Sequence, residues 1–233
     1  MALTDNLIAA YKLDDVTDGT TNGYNLTNNN SVSFATAGII GNCADFGSTN
    51  TNKLLSRATD FSNGGGDFTI SCWIKVYSTS TGQCAFELQS SAQPWFRAFF
   101  MYDGGNTRLF SGWHGGGSIG PSVTLNTSTW YNIILTNSSG TLELFYNNTS
   151  QGTTATHYGG DLTPTNTFQL GGSIALQGAG VGVPGLIDSC YVWTRVITSG
   201  ERATMYNSGN GYEISFGGGT TRIANNFTLL GVG

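Results

Sequence analysis

An all-β fold, a sandwich or barrel of many short strands closed by one short helix, is what this sequence predicts. Three observations carry that reading. Apolar and polar residues alternate with a period of two in segments of strand length; Gly, Asn, Ser and Asp clusters separate those segments at hairpin spacing; and helical periodicity is almost absent. The 34 glycines set against four prolines suit tight turns. At 233 residues and 39% hydrophobic composition the chain supports one large core without staples, because a chain of this size buries roughly 70% or more of its unfolded surface.

The elements follow in order. Leu7 to Leu13 is an apolar run with strand character. Asp67 to Val76 alternates, with Phe68, Ile70, Cys72, Ile74 and Val76 on one side and Thr69, Ser71, Trp73 and Lys75 on the other. Trp95 to Tyr102 and Arg108 to Trp113 flank Asp103-Gly104-Gly105-Asn106, a hairpin turn. Trp130 to Thr136 and Thr141 to Tyr146 flank a second turn, Asn137 to Gly140, and Asn147-Asn148 reverses the chain again. Phe168 to Leu170 and Gly185 to Val196 supply later strands. One helix is expected where Thr198-Ser199-Gly200-Glu201 reads as a capping box, with Gly209 ending it as a short lid at the end of the sandwich.

Charge and composition exclude several functions. Only 10% of residues are charged, the net charge is −5, and the nine Lys and Arg form no basic run, which argues against nucleic-acid binding. No apolar stretch approaches the ~18 residues of a membrane span. Met1 to Asn6 lacks the pattern of a secretory leader, so synthesis in a cytosol is expected, with a removed leader as the alternative. The cysteines Cys43, Cys72, Cys84 and Cys190 have no metal-ligand spacing and are expected to be free thiols.

Six motifs then occur in the order of a known family. Leu7 to Asp14 looks like the opening strand of laminin-G-like jelly rolls, and Asp18 to Thr27 is similar to their Asp/Gly/Asn-rich first loop. Gly41-Asn42-Cys43-Ala44-Asp45-Phe46 resembles the Gly-Asn-Ala-x-x-Phe step, and Asp67 to Lys75 the Phe-Thr-Ile-x-x-Trp strand. Gly140 to Asn148 resembles the Leu-x-Leu-aromatic strand before an Asn-Gly turn, with Asn148 replacing the Gly. Gly185 to Tyr191, the helix start at Thr198 and Met205-Tyr206-Asn207 are similar to the closing strand and helix. Residues 7–212 thus resemble the laminin-G-like, concanavalin A-like jelly-roll family, and the Asn/Thr-rich, leaderless style resembles its phage and environmental viral members. A more distant resemblance is to pentraxins, whose intersheet disulfide would need a cysteine near Ile133. The resemblance implies a jelly-roll β-sandwich over residues 1–212, with residues 213–233 as a tail.

It also implies a calcium site. In the family the ion bridges the first loop and the closing strand, here Asp18 and Asp188 through side chains and Asn22 and Asn25 through carbonyls. The competing reading is that Asp and Asn build turns by local hydrogen bonds. For glycans, aromatic faces are the candidates: Trp113 and His114 in a Gly-rich loop, with Trp95 and Tyr102; the competing reading is that these rings belong to the core or a sheet face. Catalysis is not expected. Glycan hydrolases need two carboxyls, and none of Glu87, Glu143, Glu201 and Glu213 has another acid within four residues.

The tail follows Gly217-Gly218-Gly219 and carries Ile223, Phe227, Leu229, Leu230 and Val232. Apolar residues beyond a closed sandwich suggest burial on another chain, either a copy of this one or another virion protein. The expected function is therefore a non-catalytic decoration, fibre-associated or adhesion protein on the surface of a bacteriophage-like virion, contacting cell-surface glycans. The alternative is a secreted or cell-surface carbohydrate-binding module, extracellular in location; a glycan-active enzyme is the least supported reading.

Overall fold

The computed structural model describes residues 1–49, 52–58, 61, 66–78, 83–89, 96–103, 106–113, 118–119, 125–155, 167–172 and 182–216. Its strands are β1 Leu7–Tyr11, β2 Thr27–Asn29, β3 Ser33–Ala37, β4 Asn42–Asp45, β5 Leu54–Arg57, β6 Phe68–Val76, β7 Gln83–Gln89 and β8 Phe96–Asp103. They continue with β9 Asn106–Trp113, β10 Ser118–Ile119, β11 Trp130–Ser138, β12 Thr141–Tyr146, β13 Thr149–Ala155, β14 Thr167–Leu170 and β15 Gly185–Trp193, before the helix α1 Ser199–Tyr206. Two antiparallel sheets result, the jelly-roll sandwich that the alternation and the family resemblance imply. The first runs β13-β12-β11-β6-β15-β4-β3 with β1 also on β15; the second runs β10-β9-β8-β7-β14-β5-β2.

The inner faces meet in one core. Phe68, Ile70, Cys72, Ile74 and Val76 from β6 enter it, as their alternation requires, and Ile133, Leu135, Leu142, Leu144, Ile187, Cys190 and Val192 join from the same sheet. Leu55, Phe86, Phe168 and Leu170 enter from the second sheet. Phe168 stacks on Tyr11 at 6.0 Å and meets Phe61 edge-on at 5.0 Å. Cys43, Cys72 and Cys190 are buried free thiols, and burial raises all three, Cys43 to about 12.

Two turns show why Ser/Asn/Gly clusters fall where they do. Ser139-Gly140 and Asn147-Asn148 each connect paired strands with both residues at positive φ, the geometry whose twist matches that of the flanking strands. Among residues with a Cβ, Asn is one of the few that visit that region, because its short side chain hydrogen-bonds locally. This is how Asn148 replaces glycine at the second turn.

β15 is buried at all nine positions, so the outer face of the first sheet needs a cover as well. Leu7, Ala10, Ile134, Phe145, Tyr191, Trp193, Ile197, Met205 and Ile214 form a second cluster there, with Leu3 and Phe216 against it. The helix therefore lies across a sheet face, a correction to its expected place at the end of the sandwich. Its capping box is present: Glu201 N–H donates to Thr198 Oγ1 at 3.2 Å and Thr198 N–H to Glu201 Oε2 at 2.7 Å. The 212/213 boundary drawn from sequence passes through packed chain. Glu213 pairs with Lys12 Nζ at 2.6 Å, and Ile214 N–H donates to Tyr191 Oη at 3.3 Å. Residues 217–233 lie outside the described residues.

One ion pair ties this cover together. Arg195 donates to both oxygens of Glu201, at 2.6 and 2.8 Å, and reaches the carbonyls of Ala2 and Asp5 at 3.0 and 2.8 Å. The guanidinium, with the Thr198 hydrogen bonds, holds the Glu201 carboxyl down at about 2. A depressed folded pKa contributes stability that is present above about pH 4.5 and lost as pH falls through about 2. Glu201→Gln leaves Arg195 buried without its counter-charge; we expect a loss of about 3–5 kcal/mol at pH 7 in urea denaturation, shrinking toward pH 2.

Candidate functional site

The first loop is organised by a single carboxylate. Asp18 is 5% exposed. Its Oδ1 accepts from Ala10 N–H at 2.9 Å and Thr20 N–H at 3.0 Å; its Oδ2 accepts from Thr20 Oγ1 at 2.7 Å and Tyr24 N–H at 2.9 Å. Asn25 Oδ1 accepts from Asp18 N–H at 2.9 Å, and Asn22 Nδ2 donates to Ile8 carbonyl at 2.9 Å. Residues 18–25 are thus knotted onto β1 by the local hydrogen bonds of the turn-building reading.

Asp188 holds a different loop. A register shift in β15 falls between Asp188 and Tyr191, and Ser189 sits at φ 50°. The buried Asp188 accepts from Ile40 N–H at 3.0 Å and Ser189 Oγ at 3.2 Å, clasping the turn between β3 and β4. A Cβ on Gly38 would collide with this carboxylate, so glycine is required there. Burial pushes the Asp188 carboxyl up to about 7, against the hydrogen bonds that favour its charge.

The side chains of Asp18 and Asp188 are engaged as the turn-building reading expects. A calcium ion wants six to eight oxygens with lone pairs turned toward it. Both Asp18 oxygens already face two donors each, Asn25 Oδ1 accepts from the backbone N–H of Asp18 itself, and Asp188 holds the 38–41 turn. Among the described residues no group of three or more His, Cys, Asp or Glu gathers as a ligand set.

The expected aromatic rim falls only in part within the described residues. Trp95 and His114 lie outside the described residues, and Tyr102 and Trp113 are described by backbone alone. In the β8–β9 hairpin Tyr102 pairs with Thr107, beside the turn, whereas Trp113 pairs with Phe96. Six residues of strand separate those positions, about 20 Å at ~3.3 Å per residue.

A polar row on the second sheet was not foreseen. Glu87 of β7 lies opposite Gln169 of β14, and Gln169 lies opposite Ser56 of β5. Phe168 and Leu170 enter the core, so Gln169, Glu87 and Ser56 lie on the face away from it. Asn29 of β2 extends the row, donating to Ser56 Oγ at 2.9 Å, and Arg97 holds the register position beyond Glu87. Glu87 and Gln169 are fully buried. A carboxylate and an amide buried side by side are expensive and mark a candidate site. The signal was present as one polar residue between two apolar ones, Phe86-Glu87-Leu88 and Phe168-Gln169-Leu170. It went unread because β7 and β5 were not recognised as strands.

Comparison with known proteins places this geometry. The family described as the concanavalin A-like lectin/glucanases superfamily matches residues 46–203. Among solved structures, domain 4 of AbnA, a GH43 extracellular arabinanase from Geobacillus stearothermophilus in complex with arabinotriose, superposes with a TM-score of 0.67 at 20% identity over 84% of this chain and 96% of that one. The SAP-like pentraxin of Limulus polyphemus gives 0.51 at 16% identity over 60% and 69%. The receptor-binding domain of botulinum neurotoxin D gives 0.61 at 14% over 89% of this chain and 54% of that one, so this chain spans about half of that protein. No curated protein sequence matches the chain.

Two outcomes are expected. Asp188 binds its proton more tightly folded than unfolded, so its contribution is fully present below about pH 4 and is lost as pH rises through about 7. Asp188→Asn should therefore flatten the melting-temperature profile between those values; an unchanged slope counts against the assignment. Asp18→Ala removes the acceptor of four hydrogen bonds and should cost about 2–4 kcal/mol, whereas excess chelator should leave the wild-type melt unmoved.

Proposed function

This chain belongs to the concanavalin A-like lectin/glucanases superfamily, and on that premise we propose that it is a non-catalytic carbohydrate-binding domain, used for adhesion on the surface of a phage-like particle. The observation that carries the non-catalytic reading is the company each glutamate keeps. A glycosidase needs two carboxyls, about 5–5.5 Å apart when retaining and about 6.5–9.5 Å when inverting. Glu87 has Gln169 and Arg97 at its cross-strand positions, and Ala85 and Gln89 two residues along its own strand. Glu143 has Thr136 and Thr153 opposite and accepts from Ser150 Oγ at 2.6 Å. Glu201 is held by Arg195 and Glu213 by Lys12.

The end of the polar row that reaches solvent, Asn29 beside Ser56, is the candidate recognition point. Amide, carboxylate and hydroxyl groups in fixed register are the chemistry that meets sugar hydroxyls, in charge-assisted and neutral hydrogen bonds. Glu87 and Gln169 are fully buried behind it, and Asn29 is held by its hydrogen bond to Ser56 Oγ at 2.9 Å. A secreted or cell-surface carbohydrate-binding module is the second reading. It is favoured by the near-complete coverage of a domain from an extracellular arabinanase solved with arabinotriose. The virion reading draws on the Asn/Thr-rich style of the chain and on the apolar tail, 217–233, as an arm for self-association or for other virion proteins.

The test is an immobilised glycan panel that includes arabino-oligosaccharides, read for both binding and release of reducing ends. Binding to at least one glycan class with no release is expected, and a chain lacking 217–233 should keep the binding and lose self-association. Turnover that Glu87→Gln abolishes would show an enzyme, and no binding to any glycan would remove the recognition role.

A further inference from the structure

The outer face of the first sheet carries a second polar cluster, and the function proposed above does not use it. Trp73 Nε1, Asn132 Oδ1 and Ser71 Oγ are buried with no hydrogen-bond partner among the described residues. Their residues are at most 1% exposed. They are also neighbours. Asn132 of β11 lies directly opposite Trp73 of β6, and Ser71 is two residues from Trp73 on the same face. Cβ atoms of directly opposed residues are about 4.5–5.5 Å apart, and same-face positions along a strand about 7 Å.

The chemistry of the three atoms is complementary. An indole N–H only donates, an amide oxygen only accepts, and a hydroxyl does either. Asn132 Nδ2 lies 3.5 Å from the Cys72 carbonyl as its donor, which leaves Oδ1 for another partner. Tyr206 lies almost parallel to Trp73, at 6.0 Å and 12°, closing the cluster under the end of α1. Buried polar atoms are satisfied in nearly all folded proteins. One donor, one acceptor and one group that is either is the set that a single internal water molecule completes, since such waters make about three hydrogen bonds to otherwise unsatisfied groups.

We propose that Trp73, Asn132 and Ser71 bind one long-lived internal water, which bridges β6 and β11 beneath Tyr206. The neutral set argues for water over an ion. Asp188, which lies opposite Trp73 on β15, is committed to Ile40 N–H and Ser189 Oγ. The complete enclosure argues for water over any larger ligand.

The test uses the isotope-labelled full chain, with Trp73→Phe identifying the Trp73 indole signal among five tryptophans. The indole proton of Trp73 should cross-relax with the water resonance with the sign of a long-lived contact. Ser71→Ala and Asn132→Leu should each weaken that contact and lower the melting temperature by about 2–4 °C, the shift expected for one lost hydrogen bond in a chain of this size. If the indole proton shows no water contact, the proposal fails. It fails equally if both variants melt at or above the wild-type temperature, the result of replacing bare polar atoms with carbon.

Discussion

The structure depends on a strand with no solvent side. β15 is buried at every one of its nine positions, and it pairs along one edge with β6 and along the other with β4 and then β1. A sandwich of two bare sheets exposes the outer face of each, and β15 could not be built there with Tyr191 and Trp193 pointing outward. Burial of aromatics of that size is among the larger favourable terms a fold has, so a third layer has to exist. The first residues, α1 and the segment to Phe216 supply it. The shift between β4 and β1 along one edge also explains the irregularity at Asp188 and Ser189. There the strand changes partner, and the bulge turns a carboxylate toward the 38–41 turn.

That third layer accounts for how the charged groups are used. With 10% of residues charged, each acid near the cover has a mechanical task. Glu201 pins the helix start to Arg195, and through it to the first residues; Glu213 pins the exit segment to Lys12; Asp18 ties its loop to β1. A carboxylate whose lone pairs already face N–H groups has little left for a cation or a substrate. Around the first loop those lone pairs serve the backbone of β1 and of the loop itself.

What could be read in the sequence follows from the same physics. β6 was legible because its inner row is uninterrupted aliphatic and aromatic, and the capping box was legible because it is wholly local. The edge strands β2, β3, β10 and β13 are short or polar on both faces, so no period of two marks them. The first loop was correctly located at Asp18, but whether a carboxylate serves as ligand or as turn organiser depends on where nearby N–H groups point. That direction is set by β1 and not by the loop's own residues. The spacing of two aromatic candidates is set in a related way. Tyr102 and Trp113 are eleven positions apart in sequence but belong to opposite ends of one hairpin, because the turn at 103–106 fixes the register.

Register also fixes the character of the second sheet. Phe86, Phe168 and Leu170 anchor β7 and β14 in the core, and a slip of one residue would drive Glu87 or Gln169 between the sheets. The hydrophobic core therefore forces these two polar side chains onto the same outer position, facing each other across the strand pair. The proposed non-catalytic reading rests in part on what stands beside Glu87. Here the neighbouring strand presents an amide, which donates and accepts hydrogen bonds but supplies neither a nucleophile nor a general base at that point of the sheet. The core packing that fixes the register thus also fixes which groups these strands place side by side.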